Sequence, residues 1–169
     1  MKKNLDIWNF VVRVYRKENV ASACLNLQKR HNTDIPMLLS VAFGVLNKKS
    51  FSHGDLRRLK SKTNLWHNEI VTKLRFVRQK LKIGPQPAPD VLTEALRTKI
   101  KATELEAEKI QIQFLGAQLS SLPESIEECS LTKIQDVLIQ VVSLYTDHPL
   151  KTNDKKDIFS IASAILGKN

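Results

Sequence analysis

A short proline-rich segment separates two long apolar repeats, and this arrangement constrains the fold more than any other feature of the chain. Residues 84–89 read Gly-Pro-Gln-Pro-Ala-Pro, and these residue types end helices and form turns. On both sides of the segment, over about 64–82 and about 91–118, an apolar residue recurs every three or four positions. That period places apolar side chains on one helical face. The sequence therefore predicts a long antiparallel helical hairpin formed by 64–82 and 91–118.

The remaining segments also follow the helical period, and residues that break helices are few. The 169 residues include 5 Gly and 6 Pro, and no stretch alternates as a strand does. Residues 5–16 are apolar over much of the helix circumference, which indicates a central helix. We predict an all-α fold, an irregular bundle of six to eight helices that includes the hairpin, and a single domain over 1–169.

Helix starts are marked by residues suited to capping. Asp34 precedes Pro36, Ser52 precedes Asp55 by three positions, and Asp90 follows the proline segment. A side-chain oxygen at these positions accepts the unpaired N–H groups of a helix start. Less regular starts are predicted as well: Asn4 for the first helix, a separate helix from about Asn64 after one over 53–61, and Thr152 or Asn153 for the last.

Charge is unevenly distributed along the chain. The net charge is +10, residues 1–101 hold 21 Lys and Arg against 7 Asp and Glu, and residues 102–169 hold 6 against 10. Such asymmetry indicates either an anionic partner for the basic part or electrostatic docking of the two parts.

The basic residues concentrate over residues 48–82. On the first hairpin helix, Arg75, Arg78 and Lys82 form one stripe beside the apolar face, which would bind nucleic acid with strong salt dependence. A solvated charged face is the alternative, because bases stack on aromatic side chains and only Phe76 and Trp66 are aromatic on that helix. The residues predicted to bind an anionic partner are Arg57, Arg58, Lys73, Arg75, Arg78 and Lys82.

A second polar stripe lies on the other hairpin helix. Arg97, Lys101, Glu104 and Glu108 follow one another at spacings of three and four, so they share a face. This stripe is either a salt-bridged surface or part of a partly buried network with Asp34, Gln28 or Arg75 that lines a pocket. The residues of this possible polar pocket are Trp8, Gln28, Asp34, Trp66, Arg97, Lys101, Glu104 and Glu108.

Common catalytic motifs are missing from the sequence. No G-x-S-x-G and no glycine-rich phosphate loop occurs, and Cys24 and Cys129 lie on apolar helical stretches. Glu69 is expected near Glu104, but His67 falls on another helix face, so ion-paired carboxylates are favoured over a metal site. We predict no catalytic residue, metal or cofactor. The two separate cysteines, the lack of a signal peptide and the lack of a membrane span favour a cytoplasmic protein of unknown oligomeric state.

Several motifs together resemble a proteobacterial family of conserved hypothetical proteins, a domain of unknown function. The resemblance covers residues 5–110, departs at Lys29 and Ile35-Pro36, and has Gly44 in the region of a usual Trp. It implies the fold and no activity. The motifs are Trp8-Asn9-Phe10 with Tyr15, Cys24-Leu25-Asn26-Leu27-Gln28 with Asp34, Leu74-Arg75 with Arg78 and Leu81-Lys82, and Lys101 with Glu104-Leu105-Glu106-Ala107-Glu108.

Three functions remain open. The first is a non-catalytic binding or accessory module that contacts a nucleic acid or an acidic protein through the basic region 48–82. The second is a helix-bundle enzyme or small-molecule binder with a polar pocket near Asp34 and the 97–108 stripe. The third is a helical scaffold that pairs its apolar seam with a partner or with itself. The first is favoured because the basic region is the strongest functional signal.

Overall fold

The computed structural model describes residues 6–167, which form eight α-helices and one π-helical turn. Within these residues Lys49 and Glu124 form an isolated β-bridge, and no longer strand is present. The predicted all-α bundle is confirmed. The helices are α1 (Ile7–Tyr15), α2 (Val20–His31), α3 (Ile35–Leu46), α4 (His53–Trp66), α5 (Thr72–Ile83), α6 (Val91–Ser120), α7 (Leu131–Ser143) and α8 (Thr152–Leu166).

Helices α4 and α5 are joined without a break by the π-helical turn His67–Val71. The predicted interruption before Asn64 is wrong, because residues 61–64 contain neither glycine nor proline and the backbone hydrogen bonds continue through them. The irregularity comes later, where the N–H of Thr72 donates to the carbonyl of His67, five residues earlier. A π turn of this kind accommodates one extra residue within a helix.

The caps predicted for α3, α4 and α6 are present. The Asp34 carboxylate accepts the backbone N–H of Met37 at 3.1 Å. The Ser52 N–H donates to Asp55 at 2.9 Å, forming the expected capping box. The carboxylate of Asp90 accepts the N–H of Thr93 at 2.7 Å at the start of α6. Short polar side chains therefore set where these helices begin.

Two other helix starts differ from the prediction. Asn4 lies outside the described residues, and Asp6 caps α1 by accepting the N–H of Trp8 at 3.0 Å. Helix α8 begins after Lys151, whose N–H donates to Asp154 at 2.8 Å. Thr152 and Asn153 therefore do not cap α8. The carboxylate of Asp154, the third residue of the helix, accepts the free N–H of Lys151 instead.

The chain divides into two compact units, one formed by residues 61–111 and the other by the residues before and after them. We call these the hairpin unit and the bundle unit. In the bundle unit α2 packs on α8, α3 on α7, α7 on α8 and α1 on α3. Residues 35–42 of α3 are all buried, whereas α1 exposes Asn9 and Arg13. The central helix is therefore α3, and the expectation that α1 occupies this position is wrong.

Gly44 has a packing role in α3. A β-carbon at this position would lie 2.5 Å from the ring of Phe51 and 3.4 Å from Leu119. The missing side chain therefore makes room for an aromatic ring that follows seven residues later.

A buried carboxylate joins α2 to α8 in the bundle unit. Asp154, 1% exposed, lies 2.6 Å from Nε of Arg30 and 2.9 Å from Nε2 of His31. Asp157 extends the cluster, at 2.5 Å from Arg30. Burial alone would raise the pKa of Asp154, but hydrogen bonds from His31, the Lys151 backbone and Arg30 outweigh it and lower the pKa. The ionised carboxylate therefore stabilises this helix pair.

We predict that Asp154→Asn lowers the free energy of unfolding by about 1–2 kcal/mol, because it leaves Arg30 without its buried partner. The cost is below that of a fully buried pair, since the side chain of Arg30 is 35% exposed and still pairs with Asp157. The pKa of Asp154 is lower in the folded state, so its contribution is present above the unfolded value of about 3.9 and is lost as pH falls below it. Urea denaturation between neutral pH and pH ~3 should show this loss in the wild type and a flatter profile in the variant.

Asp157→Asn is the matched control, since Asp157 is 18% exposed and its loss should cost less. Equal stability of the Asp154→Asn variant and the wild type at neutral pH would contradict this account.

Candidate binding site on the helical hairpin

The hairpin unit contains α5 and the first part of α6, which run antiparallel. The Trp66 Nε1–H donates to the carbonyl of Ala107 at 3.0 Å, and nearer the turn Arg78 donates to Glu104. Of these two contacts, the one nearer the turn joins residues that are nearer the turn in both helices. This is the arrangement of an antiparallel αα-hairpin. The predicted neighbourhood of Trp66 and Ala107 is present.

Two arginines of α5 and two glutamates of α6 form a partly buried ion-pair cluster. Nε of Arg75 lies 2.8 Å from Oε1 of Glu104, and a terminal nitrogen of Arg75 lies 2.6 Å from Oε1 of Glu108. Nε of Arg78 donates to Oε2 of Glu104. Both oxygens of Glu104, which is 6% exposed, therefore accept from guanidinium groups. We call these four residues the ion-pair cluster.

The electrostatics of the cluster favour the charged form of Arg78. The hydrogen bond to Glu104 raises the pKa of Arg78, with burial opposing and the charges of Glu104 and Glu108 adding to it. Bidentate and charge-assisted contacts of this kind are the stronger hydrogen bonds in proteins. The two positive and two negative charges balance, so the cluster serves to hold α5 and α6 together.

The structure divides the residues predicted to bind an anionic partner into two groups. Arg75 and Arg78 are committed to the ion-pair cluster. Lys73 and Lys82 are exposed on α5. Arg57 and Arg58 are exposed on α4 in the bundle unit, where Arg58 also lies 2.7 Å from Asp55.

One exposed face of α5 combines lysines with an aromatic residue that the sequence reasoning underrated. Lys73, Phe76 and Lys80 follow at spacings of three and four, so they share a helix face. Phe76 is 55% exposed, and Nζ of Lys80 lies 5.4 Å from the centre of its ring. The spacing was visible in the sequence, but solvent exposure follows only from which face the hairpin buries. We call this set the basic face.

The residues of the predicted polar pocket also fall into two groups. Trp66, Glu104 and Glu108 lie close together in the hairpin unit, Arg97 pairs with Glu94 at 3.2 Å, and Lys101 is exposed.

The other three pocket residues belong to the bundle unit. Trp8 packs partly buried against its core, the Gln28 carbonyl accepts the N–H of Asn32, and Asp34 caps α3. A pocket that joins Asp34 to the 97–108 stripe stays a prediction.

An open cleft of about 560 Å³ lies in the bundle unit, at the start of α7. Its lining includes Lys49, Ser125, Ser130, Lys133 and Asp136. Lys133 donates to Ser125 and lies 3.3 Å from Glu127. The charges in the cleft are thus of both signs and partly neutralise each other.

Neither cysteine is set up as a nucleophile. Burial, with the nearby charge of Asp157, raises the pKa of the Cys24 thiol to about 12. Burial also raises the pKa of Cys129, although Lys133 opposes it. The thiolate is the reactive form of cysteine, so both side chains are held in their less reactive form. Among residues 6–167, no three His, Cys, Asp or Glu side chains are grouped as metal ligands.

The fold and site define a small all-helical protein with a charged helical hairpin. A family model described as protein of unknown function (DUF2390) matches residues 6–115, and the chain belongs to this family. The match includes the whole hairpin unit, and it confirms the resemblance to a domain of unknown function. No curated protein and no solved structure matches the chain. Within the described residues, no helix has the length and apolar character needed to cross a membrane.

We predict that Glu104→Leu lowers the free energy of unfolding by about 2 kcal/mol, because it leaves Arg78 without its carboxylate and Arg75 with Glu108 alone. The cost is below that of a fully buried pair, since the side chain of Arg78 is 26% exposed. Urea denaturation of Glu104→Leu, Arg78→Met and the double variant should give a coupling energy of about 1 kcal/mol.

The pair Arg97 and Glu94, whose glutamate side chain is 59% exposed, provides the control cycle, with less than about 0.5 kcal/mol expected. A coupling energy no larger for Arg78 and Glu104 than for this control would show that the cluster does not stabilise the hairpin.

Proposed function

We propose that the protein is a non-catalytic binding module that contacts an anionic partner through the basic face of α5. The observation that carries the proposal is the arrangement of Lys73, Phe76 and Lys80 on one exposed helix face. None of the ion pairs found among residues 6–167 includes Lys73 or Lys80. Their charges are therefore available to a partner.

The overall charge of the hairpin unit supports the same function. Residues 61–111 contain ten Lys and Arg and six Asp and Glu. The ion-pair cluster contains two of these basic residues and two of the acidic ones. The net positive charge of four therefore comes from residues outside the cluster. Unbalanced surface charge of this kind attracts oppositely charged partners and speeds their association.

A non-catalytic role is supported by how the reactive groups are used. The thiols of Cys24 and Cys129 are held protonated, and the Glu104 and Glu108 carboxylates accept hydrogen bonds from arginine. A bacterial cytoplasm is the proposed location, because nucleic acids and acidic proteins are both available there.

The structure also decides which variants test this function. Arg75 and Arg78 are poor targets, because their replacement would disrupt the ion-pair cluster and the hairpin with it. Lys73 and Lys80 are exposed, so charge reversal there leaves the packing intact. Lys155 and Lys156 are exposed on α8 and give a control with the same change in net charge.

We predict that Lys73→Glu/Lys80→Glu weakens binding of an anionic probe about tenfold, because each reversal removes about 0.5–1 kcal/mol of favourable interaction. The measurement is fluorescence anisotropy at several salt concentrations with labelled single-stranded RNA, duplex DNA and a glutamate-rich peptide. Binding by the wild type should weaken as salt increases.

Lys155→Glu/Lys156→Glu should leave the affinity within about twofold of the wild type, because charges outside a contact surface are largely screened. The proposal is wrong if no anionic probe binds at low salt, or if both double variants weaken binding equally.

A further inference from the structure

The hairpin unit holds most of the large hydrophobic side chains that the protein exposes. Of the fourteen such residues among those described, ten lie within residues 61–111. Exposed apolar side chains that gather on one element, with polar residues around them, mark interaction sites. The ten residues are Leu65, Ile70, Phe76, Val77, Ile83, Val91, Leu92, Leu96, Leu105 and Ile110.

Part of this set forms a strip along one side of the hairpin. On α6, Leu92, Leu96 and Ile110 share a face by their spacing of four and fourteen, and they are 80%, 46% and 46% exposed. Between Leu96 and Ile110 the same face carries the exposed residues Lys99, Thr103 and Glu106. On α5, Val77 is 41% exposed and lies between the half-buried Leu74 and Leu81. We call these six apolar residues the apolar strip.

The two halves of the strip are offset along the hairpin. Arg75 and Arg78 both reach Glu104, so Val77, which lies between them, is beside this part of α6. Leu96 lies eight residues, about 12 Å, nearer the turn. Glu104 lies about 80° around α6 from Leu96. The ion-pair cluster therefore closes another side of the hairpin and leaves the apolar strip uncovered.

The charges beside the strip indicate what covers it. On α5 the strip is bordered by Lys73, four residues before Val77, and by Lys80, three residues after it. On α6 it is bordered by Lys99, three residues after Leu96. All three lysines are exposed. On α6, helical spacing makes Glu106 the exposed acidic residue that lies nearest the strip. A helix lying on the strip would therefore meet mainly positive charge at its flanks.

We infer that the apolar strip binds an acidic amphipathic helix of a partner protein, an inference that rests on the proposed function. Apolar residues of that helix cover Val77, Leu92 and Leu96, and its Asp and Glu residues meet Lys73, Lys80 and Lys99. This is the helix-in-groove mode of recognition, in which apolar anchors recur at helical spacing. The inference names the partner class that the basic face contacts.

Two other occupants fit the same surface less well. A nucleic acid would cover aliphatic side chains that it cannot stack on, since Phe76 is the exposed aromatic residue of this unit. A second copy of the hairpin would bring lysine against lysine, since the positive excess of residues 61–111 is repeated in each copy.

The test uses two labelled peptides of leucine and glutamate with identical composition and about 18 residues, roughly 27 Å of helix. One peptide places every leucine on one helix face, and the other distributes them around the helix. The full-length wild type should bind the amphipathic peptide at least about tenfold more tightly than the scrambled one.

Val77→Gln/Leu96→Gln should remove this preference, whereas Leu25→Gln/Phe159→Gln should keep it. Leu25 and Phe159 are 55% and 48% exposed in the bundle unit, so they are a matched control for exposed apolar residues. Circular dichroism checks that each variant retains its helices, as expected for side chains that are already largely solvated.

Each other outcome has a definite meaning. Equal binding of both peptides, weakened by Lys73→Glu/Lys80→Glu, would overturn the inference and leave the proposed function standing. Tighter binding of single-stranded RNA than of the amphipathic peptide, with no effect of Val77→Gln/Leu96→Gln, would overturn it in favour of nucleic acid. A dimer in light scattering that Val77→Gln/Leu96→Gln dissociates would assign the strip to a second copy. No binding of any probe would overturn both proposals.

Discussion

The hairpin depends on the Glu104 carboxylate, which accepts hydrogen bonds from Arg75 and Arg78 with its two oxygens. Two helices packed side by side bury only one stripe of each helix between them, so apolar contact alone stabilises such a pair weakly. In α5 no residue is fully buried. Long side chains that meet across the gap, at the ion-pair cluster and between Trp66 and Ala107, therefore add specific contacts between the two helices.

The same cluster determines which surface is left for function. By pairing Arg75 and Arg78 with glutamates, it neutralises two of the three residues of the most regular basic stripe of the sequence. Lys73 and Lys80 remain as the charges on the basic face. By closing one side of the hairpin, it leaves the apolar residues of another side exposed. Charge and apolar surface then lie next to each other, the combination that an amphipathic acidic helix matches.

Much of the architecture could be predicted from the sequence, because its signals are local. The helical period, the proline segment and caps such as Asp34 and Asp90 act within a few residues, and they predicted the hairpin and most helix starts. The turn at the proline segment also gave the correct neighbours for Trp66. The π-helical turn at His67–Val71 was not predictable, because it depends on how the two flanking helix segments pack and leaves no pattern in the residue types.

The candidate binding site was only partly predictable. Helical spacing placed Arg75, Arg78 and Lys82 together, but whether an arginine reaches a glutamate or faces solvent depends on the distance between two helices. In the structure Arg75 and Arg78 reach glutamates of α6, and Phe76 lies on a face of α5 that the hairpin does not bury. Likewise, the period predicted the seam through Leu92, Leu96 and Ile110, but periodicity does not tell whether one helix or several cover a seam.

Hydrogen–deuterium exchange of the full-length protein, with and without the amphipathic acidic peptide, tests the central claim most directly. The account predicts slower exchange on binding over residues 70–83 and 91–111, because a helix on the apolar strip would suppress local opening of both hairpin helices. The cleft residues 124–137 should be unchanged. Binding without protection of the hairpin, or with protection confined to the cleft, would contradict the account.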